Sequence, residues 1–89
     1  MDNQFLRTQM LLGDAAMERL KHSHVAVFGL GGVGSYAVEA LVRSGVGELT
    51  LIDDDTVGTT NLNRQLEALH STLGQNKTDA LAARCRDIN

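Results

Sequence analysis

The sequence has few aromatic residues, one cysteine and no long apolar run. Aromatic residues make up 3% of the 89 residues, so any core must be built from Val, Leu, Ile, Ala and Met. Cys85, as the single cysteine, excludes an intrachain disulfide and a cysteine-based metal site in this stretch. No apolar run approaches the roughly 18 residues needed to span a bilayer, and Met1 is followed by polar residues rather than a secretion signal. We therefore predict a cytoplasmic chain without a membrane segment in this stretch.

Excess positive charge is also missing. The net charge is −3 and the isoelectric point is near 5.4, which argues against binding nucleic acid or anionic membranes through bulk charge, although a local basic patch is compatible with it. A chain of this length forms one compact unit at most and buries only about 60–65% of its extended surface. The core is therefore expected to be thin.

A glycine-rich stretch organises the chain. Four glycines fall within six positions, directly after the apolar run Val25–Phe28 and before a segment with helical spacing. Gly29, Gly31 and Gly34 match the G-x-G-x-x-G spacing, which permits a tight turn, close approach of a pyrophosphate and close packing of helix on strand. A helix that begins here presents free N–H groups to a phosphate. Phosphate binding is the main interpretation, and simple packing of a helix on a strand is the alternative.

The elements around this turn predict an α/β fold. Val25–Phe28 reads as a strand covered on both faces, 33–44 as a helix and 48–53 as a second, parallel strand. The residues expected on the sheet side of the helix are Val33, Ala37, Ala40, Leu41 and Ser44. We predict a Rossmann-like three-layer nucleotide-binding unit with parallel strands. It is incomplete, the N-terminal portion of a larger domain, because the chain stops where a third strand is expected.

The ends of the chain carry weaker patterns. Residues 1–13 read as an N-terminal arm without a clean period. Asp14 is expected to cap a short helix over 15–21. The segment Gly74–Asp79 opens a last helix, with Lys77 in its first turn. A cation is mildly disfavoured there by the helix dipole, which hints at a nearby anion.

Polar residues that follow the strands are candidates for nucleotide binding. Asp53 lies 19 positions after Gly34, where a Rossmann-like unit places a carboxylate that binds ribose hydroxyls; the alternative is a plain turn residue. Asn61 and Arg64 carry donors for phosphate oxygens. With Lys77 they supply more positive charge than a dinucleotide pyrophosphate needs. This set favours ATP over NAD.

Taken together, the motifs resemble the N-terminal half of the ubiquitin-activating E1-like superfamily, which includes the adenylyltransferases of sulfur-carrier proteins. The motifs are Gly29–Ser35, Leu51–Asp55, Asn61–Gln65 and Gly74–Lys77. The run 63–71 and the ending Arg-Asp-Ile-Asn are most similar to the branch of tRNA threonylcarbamoyladenosine dehydratases. These enzymes activate the threonylcarbamoyl carboxylate with ATP and close it to a cyclic form.

The resemblance implies a set of site residues. It assigns catalytic roles to Arg64, Lys77 and Arg7. Arg7 resembles the arginine that family homodimers insert into the partner's ATP site, although the second arginine often found just before it in the carrier-protein branch is missing here. The residues implied to bind nucleotide are Gly29, Gly31, Gly32, Gly34, Ser35, Asp53, Asp55, Asn61, Asn63, Arg64 and Lys77.

The resemblance also implies cofactors and partners. Mg²⁺ would be held by an aspartate beyond residue 89, with no metal ligand in this stretch, so the 89 residues alone are expected to be inactive. The full-length protein would form a homodimer and act on tRNA, or it would adenylate a ubiquitin-like sulfur carrier with a sulfur-transfer partner.

Two further classes stay open from the residues alone. They are an NAD-dependent oxidoreductase, supported by the glycine turn and Asp53, and a non-catalytic module for nucleotide binding or dimerisation. The residues given structural rather than chemical roles are His22, His24, Tyr36, His70 and Cys85.

Overall fold

The computed structural model describes residues 3–89, which fold into helices and a parallel sheet. The elements are α1 (Leu6–Leu12), α2 (Asp14–Lys21), β1 (His24–Phe28), α3 (Gly32–Ser44), β2 (Glu48–Ile52) and α4 (Lys77–Ile88), with short 3-10 helices at Thr59–Asn61 and His70–Thr72. Both predicted strands and the predicted helix between them are present. None of the helices within residues 3–89 is long and apolar enough to cross a membrane.

The two strands pair in parallel, in register from His24 opposite Glu48 to Phe28 opposite Ile52. Helix α3 connects them, which makes a βαβ unit. The predicted α/β class with parallel strands is confirmed. Alternate side chains of each strand pack on a core that α3 and α4 share. Its buried members are Leu30, Val38 and Leu81, with Val27, Leu49, Leu51 and Cys85 packed against them.

The other face of the sheet differs from the sequence expectation. In the described residues, β1 is covered on one face only, and Phe28 is 76% exposed on the other. The reason is that α3 and α4 pack against each other and against β1 and β2, so both helices occupy one side. Residues 3–89 thus supply one helical layer and the sheet of the predicted layered unit.

The predicted sheet-facing side of α3 was also wrong. Val33 is 88% exposed, and Ala37 and Ala40 are exposed as well. The buried positions are Ser35, Val38 and Val42. Apolar residues lie on both sides of this helix, so helical periodicity alone did not decide which stripe faces the sheet.

The N-terminal segment forms a helix rather than an irregular arm. Within it, α1 packs on α2, and the Phe5 ring lies beside Gly45 at the end of α3. The predicted cap at Asp14 is wrong, because Asp14 is already the first residue of α2 and Gly13 precedes it. The Asp14 carboxylate instead accepts a hydrogen bond from Gln9 Nε2 at 2.6 Å. Residues 1 and 2 of the predicted 1–13 arm lie outside the described residues.

Candidate nucleotide-binding site

The glycine turn connects the end of β1 to the start of α3. Gly29 has a φ of 88°, in the left-handed region that glycine tolerates, and its N–H donates to Ile52 O at 2.8 Å. A Cβ at Gly34 would lie 1.8 Å from Gly29 O, so helix and turn touch backbone to backbone. The packing role that the spacing predicts for the last glycine is present in the structure.

The first turn of α3 has backbone N–H groups without a side-chain cap in the described residues. Within residues 3–89 no side chain caps this helix, which starts at Gly32 after Gly31. Its first N–H groups are therefore available to an anion. Ser35, by contrast, is fully buried, and its N–H donates to Gly31 O. Its hydroxyl oxygen accepts a hydrogen bond from the Leu66 N–H at 3.4 Å. Ser35 thus ties the turn to the following loop.

Asp53 lies directly under the turn. Its Oδ2 accepts the Leu30 N–H at 2.7 Å, and its Oδ1 accepts the Asp55 N–H at 2.8 Å. The hydrogen bond from Leu30, and then the one from Asp55, lower the pKa of the Asp53 carboxyl below its ordinary value. Burial raises this pKa in part, and the positive charge on Lys77 lowers it further. Each oxygen keeps a second lone pair, so the anion can also accept from ribose hydroxyls.

The loop 56–76, which is closed at its base, carries Asn61 and Arg64 and leads to Lys77 at the start of α4. Residues 56–76 leave the sheet after β2 and return at α4, and a bridge between Thr56 and Asn76 closes the base. The Val57 N–H donates to Gln75 O at 2.8 Å, and the Lys77 N–H donates to Asp55 O at 3.0 Å. Through Leu66, which bonds to Ser35, and Arg64, which lies beside Gly32, this loop packs against the glycine turn and the start of α3.

Arg64 projects from this loop over the glycine turn. A Cβ at Gly32 would lie 3.6 Å from Arg64 Cδ, so the side chain lies against the start of α3. Its Nη1 donates to Thr60 O at 3.0 Å and to Asn63 Oδ1 at 2.9 Å. These contacts hold the guanidinium beside the free N–H groups. Asn63 therefore positions the Arg64 guanidinium by accepting its hydrogen bond.

The other predicted donors occupy defined places. The Asn61 Oδ1 accepts the Gly58 N–H at 2.8 Å and so shapes the loop. Lys77, the first residue of α4, is 6% exposed, and its Nζ lies 3.8 Å from Asp55 Oδ2. Asp55 is largely exposed. The loop therefore brings Lys77 and Asp55 together with Asp53 at the carboxyl edge of the sheet.

Arg7 is the predicted site residue that the described chain does not bring to this edge. It lies in α1, two residues after Phe5, which packs near Gly45 at the C-terminal end of α3. The glycine turn is at the opposite end of that 13-residue helix, about 20 Å away along its axis.

Sequence reasoning missed two buried polar residues beneath the site, Gln65 and Glu67. Glu67 is 1% exposed, and neither of its carboxylate oxygens, nor Gln65 Oε1, has a hydrogen-bond partner among the described residues. Burial raises the pKa of the Glu67 carboxyl, and its own N–H and the charge on Lys77 offset part of that rise. No sequence signal marked Glu67, because an acid between two apolar residues, Leu66 and Ala68, is ordinary in a loop.

Cys85, His24 and Tyr36, which the sequence analysis gave structural roles, have no contacts in the described residues that indicate a chemical role. Cys85 packs on the shared core, and burial raises the pKa of its thiol. His24 contacts Thr50 and Glu48 on the open sheet face. Tyr36 is 56% exposed, so the packing expected of it is not present in the described residues. Among residues 3–89 no group of three His, Cys, Asp or Glu side chains is arranged to hold a metal ion.

Comparison with known proteins gives consistent matches. The ThiF family model matches residues 4–89. The tRNA threonylcarbamoyladenosine dehydratase of Bacillus subtilis is 56% identical over 87 residues, which cover 98% of this chain and 34% of that protein. The Molybdopterin-synthase adenylyltransferase of Salmonella typhimurium is 44% identical over 72 residues, which cover 81% of this chain and 29% of that protein.

A solved structure has the same fold. The E. coli tRNA N6-threonylcarbamoyladenosine dehydratase in complex with ATP matches with a TM-score of 0.94 and 46% identity, covering 97% of this chain and 35% of that chain. The present chain thus spans about a third of the length of the relatives it matches.

Proposed function

Because the chain belongs to the ThiF family, we propose that the full-length protein uses ATP to adenylate a carboxylate, that of threonylcarbamoyladenosine in tRNA, and so drives its cyclisation with loss of water. One observation carries the proposal. The closed loop 56–76 brings Arg64 and Lys77 to the same edge as the free N–H groups of α3 and the Asp53 carboxylate. These groups suit a ribose joined to a chain of phosphates.

The residues present fit ATP as substrate. Asp53 would accept the ribose hydroxyls, while the start of α3 with Arg64 and Lys77 would hold the phosphates. The substrate carboxylate oxygen attacks the α-phosphorus, the bond from that phosphorus to the bridging oxygen breaks, and pyrophosphate leaves. Arg64 and Lys77 stabilise the negative charge that develops on the leaving pyrophosphate. Mg²⁺, with its ligand outside these 89 residues, would neutralise part of the same charge.

The assembly belongs to the same proposal. A homodimer would place Arg7 of one copy near the ATP site of the other, since Arg7 lies far from the turn in its own chain. The cytoplasm, which keeps thiols reduced, is the compartment we propose, and the single half-buried Cys85 is compatible with it.

Exchange of labelled pyrophosphate into ATP tests the reaction. We expect exchange by the full-length protein with tRNA that carries threonylcarbamoyladenosine, and a loss of at least about 100-fold in Arg64→Ala and Lys77→Ala. Arg19→Ala, which removes an exposed cation on α2, is the matched control and is expected to keep wild-type exchange. Wild-type exchange in both site variants would contradict the proposal.

Adenylation of a sulfur-carrier protein is the second candidate. The similarity to the Salmonella adenylyltransferase favours it, because that relative matches 81% of this chain. A purified carrier ending in Gly-Gly would stimulate exchange in place of tRNA if this candidate is correct. Tight binding of NADH with no binding of ATP, measured by calorimetry on the full-length protein, would favour the oxidoreductase instead.

A further inference from the structure

Gln65 carries a buried side-chain amide whose oxygen has no partner in residues 3–89. The residue is 6% exposed, and its Oε1 is enclosed without a hydrogen bond. Its backbone is well held, because the Gln65 N–H donates to Asn61 O at 3.0 Å and the Ala68 N–H donates to Gln65 O at 3.0 Å. An unsatisfied buried amide lowers the free energy of unfolding. The fold alone therefore does not account for a glutamine at this position.

The nitrogen end of the amide lies beside Gly31. The nearest atom to a Cβ placed on Gly31 would be Gln65 Nε2, at 3.9 Å. Gly31 directly precedes the first residue of α3. In a G-x-G-x-x-G turn, the second glycine lacks a side chain so that a pyrophosphate can approach the backbone. Nε2 therefore borders the space through which a phosphate reaches the start of α3.

The residues on both sides of Gln65 hold it against the same turn. A Cβ on Gly32 would lie 3.6 Å from Arg64 Cδ, and the Leu66 N–H donates to Ser35 Oγ at 3.4 Å. Three consecutive loop residues thus contact the glycine turn and the first turn of α3. These contacts set the direction of the Gln65 amide.

Two separate features at this place favour an anion as ligand. Among the described residues no side chain caps α3, so its first N–H groups are available to phosphate oxygens. Gln65 Nε2 carries two further N–H donors, and the side-chain hydrogen bonds of residues 64 and 66 do not involve it. A buried amide and an uncapped helix start therefore direct donors to one region.

We propose that Gln65 is a further phosphate-binding residue of this site, and that its Nε2 donates a hydrogen bond to a non-bridging phosphate oxygen of the bound nucleoside triphosphate. Arg64 and Lys77 supply positive charge, whereas the amide supplies a neutral donor of fixed direction. Gln65 thus orients one phosphate group. The identity of the ligand as ATP rests on the proposed function, while the position of the amide at the start of α3 does not.

Two substitutions separate binding from folding. Gln65→Leu removes the donor at a similar volume, and Gln65→Glu keeps the shape but adds a carboxylate. By calorimetry on the full-length protein, we expect MgATP to bind about 10-fold more weakly to Gln65→Leu, and more weakly still to Gln65→Glu because like charges repel. Wild-type affinity in either variant would overturn the proposal.

Stability measurements distinguish this role from a structural one. The midpoint of urea unfolding of Gln65→Leu without nucleotide should equal or exceed that of the wild type, because leucine replaces an unsatisfied amide. The matched control for affinity is Gln75→Leu. Gln75 is an exposed glutamine of the same loop, and its Nε2 donates to Ser71 O at 3.4 Å. We expect this variant to bind MgATP with wild-type affinity.

Phosphorothioate analogues of ATP test the hydrogen bond itself, because sulfur accepts a hydrogen bond less well than oxygen does. The analogues carry sulfur on the α-, β- or γ-phosphate. We expect one of them to bind the wild type more weakly than ATP does, and this loss to be absent in Gln65→Leu. Equal effects of sulfur in the two proteins for every analogue would overturn the proposal.

Binding and reaction are measured separately. Binding of MgATP by the wild type without pyrophosphate exchange would count against the proposed function, while the affinities of the variants would still decide the role of Gln65. Inorganic tripolyphosphate, which lacks the nucleoside, is the second probe. A wild-type protein that binds neither MgATP nor tripolyphosphate would overturn the assignment of Gln65.

Discussion

Gly34 shows how one residue type sets the distance between a helix and the turn before it. A side chain there would meet Gly29 O at 1.8 Å, which is far below any permitted contact. The neighbouring Gly31 is different, since the nearest atom to a Cβ at that position would be Gln65 Nε2 at 3.9 Å, an ordinary contact. The two glycines of one motif therefore serve different purposes. Gly34 is required for packing, and Gly31 leaves room above the turn.

We accordingly expect Gly34→Ala to destabilise the fold by about 3 kcal/mol or more, because backbone rather than a flexible side chain must move. Gly31→Ala should change the free energy of unfolding by less than about 1 kcal/mol. Urea unfolding of the full-length protein measures both. Equal stability of the two variants would show that the close approach at Gly34 is not required.

At the scale of elements, Glu39 joins α3 to α4. Its carboxylate accepts from Arg84 Nε at 2.8 Å and from Arg84 Nη2 at 3.1 Å, and it also pairs with Arg43 on its own helix at 2.8 Å. Hydrogen bonding from Arg84, and then from Arg43, lowers the pKa of Glu39 to about 2 despite its burial. This bidentate pair fixes the two helices that carry the glycine turn and Lys77.

The lowered pKa of Glu39 predicts a loss of stability in acid. Because ionised Glu39 stabilises the folded state, its contribution to the free energy of unfolding is complete above its ordinary pKa of 4.5. This contribution is lost as the pH falls towards 2, the pKa of Glu39 in the folded protein. The contribution at neutral pH should be about 2 to 3 kcal/mol. Thermal unfolding over this pH range should show a shallower acid dependence in Glu39→Gln, while Asp54→Asn, an exposed acid, keeps the wild-type profile. A wild-type slope in Glu39→Gln would contradict the assignment.

Much of this architecture was predictable from local patterns. A short apolar run that contains Val25 and Val27 predicted β1, the segment 48–53 predicted β2, and the glycine spacing located the start of α3. The buried stripe of α3 was not predictable, because Val33 and Val38 are equally apolar and the packing of α4 decides between them. Glu67 was not predictable either. Its burial depends on how loop 56–76 closes, which local sequence does not encode.

At the scale of the whole molecule, the position of Arg7 requires a second copy if that residue acts on ATP. In its own chain Arg7 follows Phe5, which lies beside Gly45 at the end of α3 opposite to the glycine turn. A twofold dimer makes each site from residues of both chains. The proposed homodimer therefore predicts complementation between variants.

We expect full-length Arg7→Ala and Arg64→Ala each to lack exchange activity, and their mixture to regain part of it. Mixed dimers would contain one site with both arginines intact and one with neither. Exchange is measured after the two variants are incubated together, and a mixture of Arg64→Ala with Lys77→Ala is the control, because those two residues belong to one site. No recovery in a mixture shown to contain mixed dimers would contradict a role for Arg7 in the partner's site.

In the proposed reaction, the glycine turn, Asp53, Arg64 and Lys77 bind ATP while a carboxylate attacks its α-phosphorus. The most direct measurement follows an oxygen atom. The full-length protein is given tRNA whose threonylcarbamoyl carboxylate carries ¹⁸O, and the products are analysed by mass spectrometry. We predict that AMP gains one ¹⁸O and that the modified nucleoside loses water. Label in inorganic phosphate with release of ADP, or unlabelled AMP, would contradict the proposed adenylation.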